Sequence, residues 1–368
     1  MPHAARILHI IPTLDRSGAE KQLTLLAAGL PKYEFDVHVC ALTRGGPLAD
    51  DLKAAGIPLT VIGKRGKIDP RCWLKLKRHI AALKPELVHT WLFAANAYGR
   101  SAAKAARVPR IVAGERCVDL WKSSHELVID RWLARRTDRI VVNSSGVRDF
   151  YVRKRLPADK FVVIPNGVPP AGPVESTREA LLGELGLPVP SRLIAAVGRL
   201  WPQKRIKDLI WAADILKIIR RDFHLLIIGD GPQRAILEHF RDDVRIQDRV
   251  HFLGHRPDVA RMMPHFDCLW LASGYEGLPN VVMEAMAAGV PVVATDIPGN
   301  RDLVISAETG FLVPVGDRPA FARYANKLLD DGDLARRLSS SARQRMLTEF
   351  SVEKMVARHA ELYRGLVN

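Results

Sequence analysis

The chain has 368 residues and a mass of 40.9 kDa, enough for two ordinary domains. Its 48% hydrophobic and 26% charged residues exclude a disordered chain and a disulfide-stapled miniprotein. The formal charge of +15 calls for an anionic partner but does not choose among nucleic acid, phospholipid and phosphorylated substrate. Residues 1–170 carry 29 basic against 15 acidic side chains, whereas residues 171–368 carry 26 against 25. The surplus is confined to the first half, so the halves are expected to meet different partners. Cys40, Cys72, Cys117 and Cys268 have no metal-ligand spacing and sit in or beside apolar runs, as unpaired thiols of a reducing compartment do. The opening MPHA runs directly into the strand-like RILHIIPTL without a signal-peptide pattern, and no apolar stretch has transmembrane length. The expected location is cytoplasmic, with peripheral attachment to the inner face of the cytoplasmic membrane left open.

Short apolar runs at 6–13, 35–42, 58–63, 86–90, 110–114, 139–143 and 161–165 read as strands. Helical patterns at 18–30, 47–55, 71–83, 93–106, 123–136 and 145–154 alternate with them. That alternation indicates βαβ units and a mainly parallel sheet. IPNGVPPAGPV at 164–174 interrupts both periodicities and coincides with the change in charge, which marks a linker. The alternation then restarts. Strands are expected at 193–198, 224–228, 250–253, 268–272, 290–294 and 311–313. Helices are expected at 205–220, 232–240, 258–264, 280–288, 300–306, 319–330, 333–349 and 351–364. The fold class is α/β, with two Rossmann-like domains facing a central cleft. The expected boundaries are 1–168, 169–350 and a final helical segment, 351–368, returning toward the first domain.

Ligands of such sheets lie beyond the carboxyl ends of the strands, so the residues there carry the chemistry. PTLDRSGAEKQL puts Ser17 at a helix N-cap and Gly18 behind it, where a bare amide can approach an anion. AAVGRLWPQKRI places Gly198 and Arg199 at a strand end and Lys204 at the mouth of the next helix. A planar donor fork beside a compact charge suits a diphosphate. LLIIGDGPQR supplies a turn at Gly229 but lacks the third glycine of a dinucleotide fingerprint. Gly254-His255-Arg256 forms another strand–turn junction whose backbone can read a base edge. In SGYEGLPNVVMEAMAAGVPVVATD, Glu276 lies in a loop, Gly277 and Leu278 lead into a helix that Asn280 can cap, and Glu284 follows on that helix. Two carboxylates so placed suit the diols of a ribose or hexose, and equally suit a cap and a solvated helix face.

These pieces in this order resemble the glycosyltransferases of family 4, which have the two-domain GT-B fold. The match rests on SGAE at 17–20, IPNGV at 164–168, GRLWPQK at 198–204, GDGP at 229–232, the Glu276/Glu284 pair and AAGVPVVAT at 287–295. The resemblance implies a retaining transferase, acting from a nucleoside-diphosphate sugar donor on a hydroxyl acceptor in cell-surface polysaccharide or glycolipid synthesis. It implies that the second domain binds the donor and the first most of the acceptor, with domain closure excluding water. It assigns the diphosphate to Arg199 and Lys204, the donor sugar to Glu276, and the ribose to Glu284. The amides of Gly277 and Leu278 would lie near sugar or phosphate, and that of Gly18 near the β-phosphate. Many relatives carry a histidine after the fifth strand, where this chain reads VAGERCVDLW. Glu115 is preferred as the polar group there, with Asp119 and His89 on the acceptor side. No permanently bound cofactor and no metal are expected. The DxD at Asp331 and Asp333 falls where two helices meet, away from the strand ends.

KRGKIDPRCWLKLKRHIAALK at 64–84 interleaves cations with Trp73, Leu74, Leu76, Ile80 and Leu83, and DRWLARRTDR at 130–139 adds a second basic patch. The first is either a core-packed helix or one lying at a bilayer interface. Together they favour a glycan or lipid-linked glycan acceptor and an anionic membrane surface as partners. A nucleic-acid binder is disfavoured, since zinc-finger and RNP-like patterns are missing. The remaining alternatives are a GT-B sugar-nucleotide epimerase or phosphorylase, and a sugar-nucleotide-binding protein without catalysis.

Overall fold

The computed structural model of the chain describes residues 4–368, so most of the MPHA opening lies outside the described residues. The chain divides into two compact units, 4–167 with 352–368, and 168–351.

In the first unit the order is β1 (Ala5–Ile11), α1 (Gly18–Gly29), β2 (Phe35–Ala41), α2 (Leu48–Ala54), β3 (Leu59–Val61), α3 (Pro70–Leu83), β4 (Leu87–Trp91) and α4 (Leu92–Ala105). It continues with β5 (Arg110–Glu115), α5 (Ser124–Ala134), β6 (Arg139–Val142), α6 (Ser145–Arg153) and β7 (Phe161–Val163). The seven strands form one parallel sheet in the order β3-β2-β1-β4-β5-β6-β7. Central strands such as β1 and β4 are buried along almost their whole length, as strands covered on both faces are.

The second unit repeats the plan. It runs α7 (Arg178–Glu184), β8 (Arg192–Val197), α8 (Ile206–Ile219), β9 (Phe223–Ile228), α9 (Arg234–Asp243), β10 (Val250–Gly254), α10 (Val259–Met262) and β11 (Cys268–Leu271). It ends with α11 (Asn280–Ala287), β12 (Val292–Thr295), α12 (Pro298–Arg301), β13 (Phe311–Val313), α13 (Arg318–Asp330) and α14 (Gly332–Glu349). Its parallel sheet has the order β10-β9-β8-β11-β12-β13. In each sheet the winding reverses at the first strand, β1 or β8, which opens a crevice at its carboxyl end.

α15 (Val352–Val367) belongs to the first unit. Met355, Val356, Ala360 and Tyr363 on one of its faces enter the core formed by β1, β2, β4 and α1. Gly29 at the end of α1 makes room, for a β-carbon there would lie 2.6 Å from Val356 Cγ2.

Several expectations change. α7 was not anticipated; it is two turns long, with Thr177 capping the Ala180 amide at 3.2 Å. The helix expected at 300–306 shrinks to α12, because Asn300 is drawn in to donate to the Thr295 carbonyl at 2.7 Å. Asn280 does not cap α11; Pro279 holds that position. The apolar stripe of α3 is core, with Cys72, Leu76 and Ile80 buried and Trp73 Nε1 donating to Ser101. Asp331 caps α14 through the Leu334 amide at 2.9 Å, and Asp333 pairs with Arg336. Cys40, Cys72 and Cys268 are buried free thiols; burial pushes Cys40 up to about 12.

The first core also encloses His9, His89 and His359. His9 Nδ1 accepts from Trp91 Nε1 at 3.1 Å, His89 Nδ1 meets the Tyr363 hydroxyl at 2.6 Å, and His359 Nδ1 donates to the Met355 carbonyl at 2.8 Å. Burial, followed by the Arg116 charge, holds His9 and His359 down at about 3; burial and then His9 hold His89 well below 6.5. The folded unit keeps all three neutral, whereas the unfolded chain protonates them below about pH 6.5. Their contribution to stability should therefore be level above that pH and fall below it, by about 1.4 kcal/mol per pH unit for each histidine. Urea unfolding of the unaltered chain from about pH 7 down to about pH 5 should show this loss, and His359→Gln should reduce the slope by about 1.4 kcal/mol per pH unit. An unchanged slope in that variant would contradict the assignment.

Candidate active site

In the second unit three strand ends are laid backbone against backbone. The Gly198 amide donates to the Ile228 carbonyl at 2.9 Å, and the Gly229 amide to the Gly254 carbonyl at 2.7 Å. A β-carbon on Gly229 would lie 2.0 Å from the Gly198 oxygen, and Gly229 has φ of 139°. No other residue fits there. The carboxyl ends of β8, β9 and β10 thus present a floor of bare backbone.

Beside this floor the chain makes a single 3₁₀ turn, Pro202–Lys204, then passes through Arg205 at φ of 51° into α8. The turn is stitched to the loop after β11: the Gly274 amide donates to the Gln203 carbonyl at 2.9 Å, and Gln203 Nε2 donates to the Tyr275 carbonyl at 2.7 Å. Those bonds bring Lys204 Nζ to 2.5 Å from Glu276 Oε1, with Gln203 also reaching Glu276 Oε2 at 3.3 Å. The Lys204 side chain runs past Gly198, where a β-carbon would be 3.3 Å from Lys204 Cε. Arg199 is exposed, its guanidinium 5.7 Å from the Trp201 ring, and among the described residues it pairs with no carboxylate. One paired and one unpaired cation therefore stand at the same strand end.

Gly277 and Leu278 are buried, and Glu284 lies half-buried in the second turn of α11. α12 closes on this loop so tightly that a β-carbon on Gly299 would meet the Gly277 oxygen at 2.2 Å. The hydroxyl of Ser273 and Oδ1 of Asn300, both buried in this region, have no partner among the described residues. His255 is exposed. The Arg256 guanidinium is turned to Glu184 and to Asp258 at 2.7 Å, which leaves the peptide backbone and the exposed His255 as what 254–256 offers at the strand end.

In the first unit Gly18 opens α1. The Ser17 hydroxyl does not cap that helix; it donates to the buried Glu20. His89 is not a surface residue at the end of β4. It lies in the middle of that strand, fully buried beneath α15. Glu115, the last residue of β5, is also enclosed. Its Oε1 accepts from Asn96 at 2.9 Å and from Lys122 at 3.3 Å, and its Oε2 lies 3.0 Å from the Tyr151 hydroxyl. Asp130 binds Arg100 at 2.7 Å and Lys122 at 2.8 Å, and Asp119 Oδ2 accepts from Tyr151 at 2.8 Å. Burial pushes the Glu115 carboxyl up, against the opposing pull of Lys122. Burial alone would lower Lys122, but Glu115, Asp130 and Asp119 together hold it above the ordinary lysine range. With both Glu115 oxygens engaged, this network positions the loop 116–122 rather than offering a carboxylate to a ligand.

The sequence reading passed over the residue between the two carboxylates it chose. Arg116 is 7% exposed, its guanidinium stacks 4.0 Å from the Trp91 ring, and Nη1 lies 3.4 Å from Asn166 Oδ1. Its Nε and Nη2 have no partner among the described residues, and burial pulls the group down to about 10. Leu92, following Trp91, has φ of 67°, a strained conformation for a leucine at a strand end. A buried cation without a carboxylate is costly, which makes Arg116 a ready donor for an anionic oxygen.

Cations and carboxylates are thus brought together beside the bare strand ends of the second unit. The comparisons agree. Residues 177–345 match the model of the glycosyl transferases group 1, and residues 16–171 that of Glycosyltransferase Family 4. The chain is 29% identical over 357 residues to the UDP-Gal:alpha-D-GlcNAc-diphosphoundecaprenol alpha-1,3-galactosyltransferase of Escherichia coli, covering 92% of this chain and 91% of that one. It is 32% identical over 181 residues to the N-acetyl-alpha-D-glucosaminyl L-malate synthase of Bacillus anthracis, covering 49% of this chain and 47% of that one. Anabaena Alr3699/HepE, solved in complex with UDP and glucose, superposes with a TM-score of 0.86 at 23% identity, over 98% of this chain and 100% of that one. The fold is that of the two-domain GT-B enzymes. The chain belongs to the family 4 glycosyltransferases and is a hexosyltransferase of glycan synthesis; the epimerase, phosphorylase and non-catalytic readings are not favoured.

Gly229→Ala tests the backbone floor. It is expected to force β8 and β9 apart and to destabilise the second unit by about 3 kcal/mol or more, read by urea unfolding. Unfolding at the unaltered midpoint would show that the close approach is not required.

Proposed function

We propose that the enzyme retains anomeric configuration and takes its sugar from a uridine-diphosphate donor held by the second unit. The observation that carries this is the Lys204–Glu276 pair beside the bare strand ends, with Arg199 exposed next to it. HepE, solved with UDP-glucose, supplies the analogy for the base. Arg199 and Lys204 stabilise the diphosphate as the anomeric C–O bond breaks and charge collects on the leaving oxygen. Glu276 accepts hydrogen bonds from the sugar hydroxyls while holding Lys204 in place, and Glu284 takes the ribose diol. The amides of Gly277 and Leu278, and the backbone at Gly254 and His255, complete donor recognition. The acceptor hydroxyl attacks on the face from which the diphosphate departs and passes its proton to the departing phosphate oxygen, so no protein base is needed. Two arginine and lysine charges serve the leaving group, and transfer is taken to need no divalent cation.

The acceptor is assigned to the first unit and to the lipid-linked class, which puts the reaction at the cytoplasmic face of the membrane. The Escherichia coli relative acts on a diphosphoundecaprenol-linked sugar, by its name. Arg116, buried with two unpartnered donor nitrogens, is the group suited to an acceptor phosphate.

Glu276→Gln should lower kcat with UDP-sugar by at least about a hundredfold while the chain melts normally. Arg199→Ala combined with Lys204→Ala should weaken uridine diphosphate binding by calorimetry, and undiminished affinity would overturn the diphosphate assignment. NMR of the first-formed product should show the donor's anomeric configuration, and turnover should persist in chelator. Arg116→Gln should raise KM for a diphosphate-bearing acceptor by at least about tenfold and leave donor KM unchanged. Equal effects on both substrates would remove Arg116 from the acceptor.

A further inference from the structure

The solvent-facing side of α5 has the wrong chemistry for a helix in water. Its inner side is conventional: Asp130, Leu133 and Ala134 are buried. Its outer side carries Val128, Ile129 and Trp132, on one face at helical spacing, and the loop just before it carries Leu120 and Trp121. These five side chains are between 41% and 59% exposed. A single exposed leucine means little, but five large apolar groups within 13 residues mark an interaction surface.

The charge around them has one sign. Every carboxylate of the segment is already engaged. Asp119 is held by Tyr151 and Lys122, Glu126 closes the capping box with Ser123, and Asp130 is held by Arg100 and Lys122. The cations point outward. Arg135 and Arg136 are exposed, with the Arg136 guanidinium 3.9 Å from the Trp132 ring, and Arg139 is exposed at the start of β6. Indole rings beside arginines suit the boundary between acyl chains and anionic headgroups, where the ring sinks and the guanidinium remains with phosphate. The buried ionic network under α5 and the T-shaped contact of Trp121 with Phe93 at 5.5 Å keep loop and helix in place. The surface is thus preformed.

We propose that the segment from Leu120 to Arg136 is a membrane-docking wedge that inserts Leu120, Trp121, Val128, Ile129 and Trp132 into the interface of an anionic bilayer. α3, the segment whose sequence looked most interfacial, spends its apolar stripe on the core. The proposal draws on the membrane-side placement above only for its setting, since lipid binding is measured without donor or acceptor.

The full chain is sedimented with vesicles of phosphatidylcholine alone and of phosphatidylcholine mixed with phosphatidylglycerol. Binding to the mixed vesicles is expected, with little to the neutral ones. Val128→Ser with Trp132→Ser should reduce it by at least about tenfold at any salt concentration. Arg135→Glu with Arg136→Glu should remove the salt-sensitive part. Both variants should melt as the unaltered chain does and keep their turnover with a water-soluble acceptor. Vesicle binding that survives both changes, or fails for the unaltered chain, overturns the proposal. So does a dimer in analytical ultracentrifugation that Val128→Ser with Trp132→Ser converts to monomer, because the wedge would then serve a second copy. A failed transfer assay with normal vesicle binding would count against the catalytic reading and not against the wedge.

Discussion

The second unit depends on peptide backbone touching peptide backbone. With Gly229 pressed on the carbonyl of Gly198, side chains are kept off the strand ends. The ion pair follows from that constraint. The 3₁₀ turn that starts beyond Gly198 is tied by Gln203 to the loop after β11, and that tie delivers Lys204 to Glu276. A charge pair on long flexible side chains would be worth little on its own. Here the turn and the loop fix its ends first, so little freedom is lost when a ligand arrives.

The first unit solves an opposite problem. Its distinctive residues are buried, and it spends them on position. Glu115, Asp119 and Asp130 share Lys122, Arg100 and Tyr151 beneath α5, and three neutral histidines, one of them on α15, fill the core that α15 covers. Breaking one partner of such a network costs about 3–5 kcal/mol, which makes it a rigid mount for the loop it carries. Arg116, on that loop, is the exception: a cation with aromatic support and no opposing charge.

The strands and most helices were legible because their apolar runs and periodicities are local. So were the glycines and the Arg199, Lys204 and Glu276 positions, since strand-end location follows from element order. Burial was harder to read. His89 and Glu115 belong to the strand-end region by number, but which face of the strand each occupies depends on what packs above it, and α15 comes 263 or more residues later than His89. Arg116 was missed because arginines are ordinary on a basic surface; only its burial without a carboxylate partner sets it apart. The place of α3, core or interface, was left open for a similar reason when set beside α5. Both are basic and apolar, and nothing local says which stripe meets the sheet. The α3 stripe is continuous with Leu8, Val88 and Ile111, whereas α5 faces inward through a charged residue, Asp130.

Because α15 completes the core of the first unit, that unit is discontinuous in the chain. On the ribosome, residues 4–167 emerge first but lack the helix that covers His89 and packs on Gly29. Residues 168–351 emerge next and contain everything their own sheet needs. The order of synthesis is therefore not the order of completion. The second unit can finish while the first still waits with an uncovered apolar face, and only the arrival of Met355, Val356 and Tyr363 seals it.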